Sequence, residues 1–135
     1  MEQKTVVITG GNRGIGLSIT EAFIDAGYLV IVGARTEAGL RSRFGERVSF
    51  LPSDVRNEAD HRALVQCALD QTGRLDAYVN NAGFSEWRPI SEIDETFFTD
   101  MIGTNLKGVL WGCKAAVSAM ADTGSIINIS SIAGK

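Results

Sequence analysis

TVVITGGNRGIG occupies residues 5–16, and the order of its residue types decides the fold. The opening run of β-branched residues, TVVIT at 5–9, suits a pleated strand. Gly10 and Gly11 end that strand at once, Asn12 and Arg13 follow, and Gly14, Ile15 and Gly16 lead into an apolar, helix-periodic stretch. Lacking a Cβ, Gly10 permits a tight turn, Gly14 lets backbone approach an anion such as a pyrophosphate, and Gly16 lets the helix lie close to the sheet. Freed N–H groups and the helix dipole favour negative charge at that helix start. The same glycines also suit an ordinary βα turn; the strand before and the helix after favour the anion-binding alternative.

Outward from this turn, short apolar runs alternate with longer mixed ones. Ile15, Ile19, Ala22, Phe23 and Ala26 share one helical stripe over residues 15–26, with Gly27 as its stop. LVIVG at 29–33 predicts a second strand, 36–44 a short helix and 47–51 a third strand. Asn57 can cap the next helix, with Asp60 three positions on, and Gly73 ends it. LDAYV at 75–79 predicts a fourth strand. After a loop holding Trp87 and Pro89, a long helix is expected from about residue 94 to 121, then a fifth strand at 126–129. Val- and Ile-rich strands alternating with helices imply parallel βαβ units, hence an α/β, doubly wound, Rossmann-like sheet of order 3-2-1-4-5. Ligands in such sheets sit at the carboxyl ends of the strands where the winding reverses, here between strands 1 and 4.

At 135 residues the chain is expected to be one domain, residues 1–135, and its 44% apolar content suffices for a core. A net charge of −3, scattered along the chain, offers nucleic acid no basic field. Cys67 and Cys113 lie far apart and His61 is the only histidine, so neither a disulfide framework nor a metal site is expected. The N-terminal residues MEQKTVVITGG lack the apolar stretch of a signal peptide, and no apolar run reaches the roughly 18 residues that suggest a membrane span. The expectation is a cytoplasmic protein that binds neither membrane nor nucleic acid.

Further along, Gly33-Ala34-Arg35 ends the second strand, where an acidic residue commonly holds ribose hydroxyls. Here Arg35, with Arg13 of the glycine loop, could instead bracket a 2′-phosphate, so NADP is favoured over NAD. Surface arginines are common, however, and Glu37 could pair with Arg35. Asp54 and Val55 follow strand 3, and NNAG at 80–83 follows strand 4. Asp and Asn are ordinary turn residues too. Asn105 shares a stripe with Phe98, Ile102, Val109, Ala116 and Met120, so a buried amide with hydrogen-bond partners is expected there.

TGGNRGIG, the Asp54-Val55 pair, NNAG and SIINISSIAG at 125–134 occur in an order and at a spacing that together resemble the short-chain dehydrogenase/reductase family of classical type. The resemblance covers essentially the whole chain. It implies that Gly10, Gly11, Asn12, Arg13, Gly14, Ile15 and Gly16 hold the dinucleotide, with Arg13 and Arg35 where NADP-preferring members carry basic residues. By the same resemblance Asp54 and Val55 contact the adenine, while Asn81, Ala82 and Gly83 line the ribose and nicotinamide side. Asn105 and Ser131 match the family's catalytic asparagine and serine, Ser131 better than Ser130.

The family's catalytic Tyr-x-x-x-Lys is missing. Tyr28 and Tyr78 are the only tyrosines, neither has a lysine four residues on, and Lys135 has no tyrosine at 131. General-acid catalysis contributes roughly 10²–10⁴-fold, so this chain alone is expected to be nearly inactive. The expectation is therefore the N-terminal portion of an NADP-dependent carbonyl reductase or alcohol dehydrogenase, truncated at its C-terminus and lacking the family's last strands and helices. The alternatives are a non-catalytic dinucleotide- or partner-binding module, or one half of a split reductase completed by a C-terminal fragment. The substrate expected is a small carbonyl compound or alcohol. An unprotected fifth strand, and small residues Gly108, Gly112, Ala115 and Ala116 on the long helix, point to association, with a homo-oligomer for the complete protein.

Overall fold

β-Branched residues dominate the strands at the centre of the sheet because both faces there are covered. In the computed structural model, which describes residues 2–134, the strands are β1 (Thr5–Thr9), β2 (Leu29–Ala34), β3 (Val48–Pro52), β4 (Leu75–Asn80) and β5 (Met120–Asn128). The helices between them are α1 (Gly14–Asp25), α2 (Leu40–Phe44), α3 (Glu58–Thr72), α4 (Glu95–Ile102) and α5 (Gly108–Val117). All strand pairs are parallel and run in the order β3-β2-β1-β4-β5, as the sequence predicts.

Alternation along the strands divides the core between two faces. Val6, Ile8, Val30, Val32, Ala77 and Val79 pack with Ile24 of α1 and Leu40 of α2. On the opposite face Val7, Ile31, Leu75 and Tyr78 meet Leu64, Val65 and Ala68 of α3 and Ala115 and Ala116 of α5. Gly27 and Gly73 stop α1 and α3 with φ of +85° and +74°, the left-handed conformation that glycine adopts without strain.

Several local expectations are corrected. In α1 the buried positions are Gly16, Thr20 and Ile24, whereas Ile15 is 70% exposed at the mouth of the glycine turn. Helix α2 begins at Leu40 rather than near residue 36, because both oxygens of Glu37 bind amides ahead of and within it, those of Gly39 and Arg41. That carboxylate is thus taken up by backbone rather than by Arg35. Asn57 precedes α3 without a side-chain cap, and the Asp60 carboxylate accepts instead from the Asp54 amide at 2.8 Å.

The expected long helix is broken in phase and shorter. A π-helical turn, Gly103–Lys107, joins α4 to α5, and the helix ends at Val117. The chain then enters β5 at Met120, opposite Leu75, and residues 121–124 bulge before Ser125 pairs with Ala77. Pairing with β4 thus outweighs the helical pattern in the last turn. Strand β5 lies at one edge of the sheet, with Ile127 and Ile129 partly exposed.

Candidate functional site

At the carboxyl ends of the central strands, β1 and β4 are stitched together by side chains that the glycine turn brings within reach. The Thr9 hydroxyl accepts from the amides of both Asn81 and Ala82 at 3.1 Å. Asn81 answers by donating its Nδ2 to the carbonyls of Thr9 and Gly10, each at 3.1 Å. The start of the glycine turn and the NNAG segment therefore form one hydrogen-bonded unit. Sequence reasoning missed Thr9 as a member of this unit; a hydroxyl buried at the end of a core strand must find a partner, and that was the available signal.

The turn itself is shaped by glycine. Gly10 and Gly14 have φ of +66° and +55°. A Cβ on Gly16 would stand 1.9 Å from the Gly10 carbonyl oxygen, so only glycine lets α1 approach the sheet this closely. Around Gly14, by contrast, a Cβ would meet nothing within 4 Å. Thr20 donates to the Gly11 carbonyl at 2.8 Å, and Asn12 donates to the Thr36 carbonyl at 2.9 Å, tying the turn to the segment after β2. The helix starts after Arg13 with no side chain capping its first amides, and Arg13 and Arg35 are both exposed on this side. Such an end, with free N–H groups and the positive pole of the helix, suits an anion.

Asp54 and Val55 form the next wall. The Arg56 guanidinium binds both Asp54 oxygens at 2.7–3.1 Å and reaches Asp100 at 2.6 Å. Arg56 holds the Asp54 carboxyl below its ordinary pKa despite partial burial, and the charge of Arg35 acts in the same direction. The Val55 carbonyl accepts from His61 at 2.8 Å, and a Cβ on Gly108 of α5 would lie 3.0 Å from Val55 Cγ2.

Asn105 lies on the π-helical turn and is exposed, a correction to the expected buried face. The buried positions are Phe97 ahead of that turn and Gly103, Gly108, Gly112, Ala115 and Ala116 within and beyond it, whereas Phe98 is 56% exposed. Its amide is nevertheless satisfied by backbone: Oδ1 accepts from Phe84 N at 2.8 Å and Nδ2 donates to Phe84 O at 2.7 Å. This places Asn105 beside Gly83, whose Cβ position would be 3.6 Å from Oδ1. Phe84 stacks edge-on with Phe97, whereas Trp87 is 86% exposed. Ser131 lies just beyond β5, exposed, with its hydroxyl accepting from the Ala133 amide at 3.1 Å. Asn105 and Ser131 are not bonded to one another: the amide is held by Phe84 and the hydroxyl by Ala133.

Asn80, the first residue of NNAG, is buried at the end of β4. Asn80 donates to Asn128 Oδ1 at 2.9 Å, while Asn80 Oδ1 is buried without a partner. Among the described residues, no group of three or more His, Cys, Asp or Glu side chains is placed to hold a metal ion. Among the same residues, no helix is long and apolar enough to cross a membrane.

Comparison with known proteins matches the family described as short chain dehydrogenase over residues 4–135. L-fucose dehydrogenase of Mus musculus is 40% identical over 97% of this chain and 50% of its own length. The 3-oxoacyl-[acyl-carrier-protein] reductase of Chlamydia trachomatis is 39% identical over 97% of this chain and 56% of its own. Among solved structures, the short-chain dehydrogenase/reductase (glucose/ribitol dehydrogenase) of Brucella melitensis superposes with a TM-score of 0.92 at 30% identity, over 98% of this chain and 58% of that one. The chain thus spans about half the length of these relatives. With the fold, the strand order and the match across nearly all its residues in agreement, the chain belongs to the short-chain dehydrogenase family.

Proposed function

We propose that this chain is the NADP(H)-binding half of a short-chain oxidoreductase that interconverts a small carbonyl compound and the corresponding alcohol. The observation that carries this is the clamp between β1 and β4, which leaves the turn at Gly14 open beside an uncapped helix start. The residues present fit a dinucleotide. The Gly10 N–H is taken by the Gly33 carbonyl at 2.8 Å, so the uncapped N–H groups at the start of α1, from Gly14 on, would receive a pyrophosphate, and Arg13 and Arg35 would supply positive charge for a 2′-phosphate. Asp54 and Val55 would take the adenine. Asn81, Ala82 and Gly83 would line the ribose and nicotinamide. When bound, the nicotinamide supplies or accepts hydride.

The chain's own residues then bind and orient. Ser131 would hold the substrate oxygen by a hydrogen bond, and Asn105 would fix the loop after NNAG through Phe84. A serine hydroxyl is a poor proton donor, and no Tyr-x-x-x-Lys occurs in these residues, so the chain by itself should bind cofactor without turnover. The names of its relatives, a reductase and a dehydrogenase, support redox chemistry at carbon–oxygen bonds in either direction. The exposed apolar edge at Ile127 and Ile129 supports association with a second copy or a complementing polypeptide; a strictly monomeric species in sedimentation would contradict that part.

Titration of NADPH and NADH against the chain and its Arg35→Ala and Arg13→Ala variants tests the cofactor assignment. A charge-assisted bond to phosphate contributes about 1.5–3 kcal/mol, and these arginines are exposed, so the expected loss is near the lower end, about tenfold, for NADPH alone. Equal losses for NADH and NADPH would contradict the 2′-phosphate role.

A further inference from the structure

His61 and Tyr78 come from neighbouring elements, α3 and β4, and are 1% and 0% exposed. His61 Nδ1 lies 2.7 Å from the Tyr78 hydroxyl and Nε2 lies 2.8 Å from the Val55 carbonyl oxygen. A carbonyl can only accept, so Nε2 carries the hydrogen; Nδ1 is then a lone pair and the Tyr78 hydroxyl donates to it. The geometry fixes one neutral tautomer. Its neighbour Asp60 holds the Asp54 amide at 2.8 Å. Two consecutive residues of α3 thus grip the N–H of Asp54 and the C=O of Val55, the pair assigned above to the adenine.

We propose that His61, locked by Tyr78, is a positioning residue for the adenine turn, and that nucleotide affinity requires its imidazole to be neutral. This rests on the dinucleotide reading of the site. A proton added at Nδ1 would face the Tyr78 hydroxyl with a second N–H. The phenol would then have to accept, leaving its own hydrogen unpartnered beside a buried charge, which is costly. Relief comes from withdrawing α3's first turn, and with it the hold on Val55.

The titratable groups that act on the imidazole are Tyr78 on β4, Asp54 in the turn and Asp60 on α3, while Cys113 on α5 acts on Tyr78. Asp54 is paired with Arg56, Glu58 with Lys114 at 2.7 Å, and Asp60 with the Asp54 amide. Burial pushes the His61 pKa below its ordinary 6.5, against the opposing effects of the Val55 carbonyl and the charges of Asp60 and Asp54. The unfolded chain therefore binds the proton first, and stability falls as pH drops from about 6.5 through the lower folded value. Affinity follows the same direction.

The test is NADPH affinity by calorimetry between pH 5 and 8, with wild type and His61→Gln compared and the melting temperature of each recorded. Glutamine can donate to Val55 without titrating. The ligand's 2′-phosphate takes a proton near about pH 6, but equally for both proteins, so the difference reports on His61. The wild-type Kd should rise, relative to the variant, by up to about tenfold per pH unit below the imidazole pKa. Since His61 is the only histidine, its ring-proton resonance should titrate at the same midpoint, and Tyr78→Phe should move that midpoint upward. Binding whose pH profile is the same in wild type and His61→Gln, or a resonance that titrates away from any affinity change, overturns this inference alone. No binding of NADPH or NADH at any pH overturns both it and the reading beneath it.

Discussion

Ala substitution at Gly16 and at Gly14 should separate what the turn needs in order to fold from what it needs in order to bind. At Gly16 the new methyl would lie 1.9 Å from the Gly10 carbonyl oxygen and 2.5 Å from Asn81 Nδ2. Ordinary contact begins at 3.4 Å, so α1 and the turn must separate by about 1.5 Å, which breaks the Asn81 bonds to the Thr9 and Gly10 carbonyls. Overpacking of this kind costs about 1–3 kcal/mol, and a stranded buried donor adds about 1–3 kcal/mol. For a chain of this size the sum corresponds to a fall in Tm of roughly 6–20 °C. At Gly14 the methyl meets no protein atom within 4 Å, and only the φ of +55° is unfavourable, at about 1 kcal/mol or a few degrees. Under the proposed function, the same methyl would crowd the pyrophosphate at the start of α1. Gly14→Ala should therefore melt near wild type yet lose at least about tenfold in dinucleotide affinity, equivalent to about 1.4 kcal/mol. Differential scanning calorimetry and NADPH titration measure the two effects. A Gly14→Ala protein that binds normally, or a Gly16→Ala protein that melts like wild type, would refute the reasoning.

Two further outcomes follow from side chains that hold separate elements together. Asn105→Ala removes both bonds to Phe84; at about 0.5–1.5 kcal/mol net each, Tm should fall by several degrees and amide exchange at Phe84 should quicken, while unchanged exchange would contradict the role. Asp76, largely buried, accepts from the Thr5 amide at 2.9 Å and from Arg74, so Asp76→Ala should cost about 1–3 kcal/mol. Burial would raise the Asp76 pKa, but its bonds from Arg74 and the Thr5 amide outweigh that and hold it below its ordinary 3.8. Its stabilisation is therefore complete above that value and lost as pH falls through the lowered one; acid melts of Asp76→Ala should lack this slope.

The glycine turn was legible because its constraints are local: strand, glycine, helix start and NNAG are each short runs whose residue types state their own geometry. Strand order followed from the alternation of elements and the handedness of crossovers. The end of the long helix was not legible, since residues 118–121 continue a helical pattern and only pairing of Met120 with Leu75 shows that the sheet takes them. Asn105 was found as a residue but misplaced as buried, because one extra residue in a π turn shifts the phase of every later position and leaves no mark in composition. The His61–Tyr78 bond joins residues 17 apart on different elements, and neither periodicity nor a motif connects them.

Direct titration of the chain with NADPH and NADH, followed by cofactor fluorescence or calorimetry, bears most closely on the central claim. The account predicts saturable binding at one site per chain, tighter for NADPH than for NADH and weakened by Gly14→Ala. Failure of the folded chain to bind either dinucleotide would contradict it.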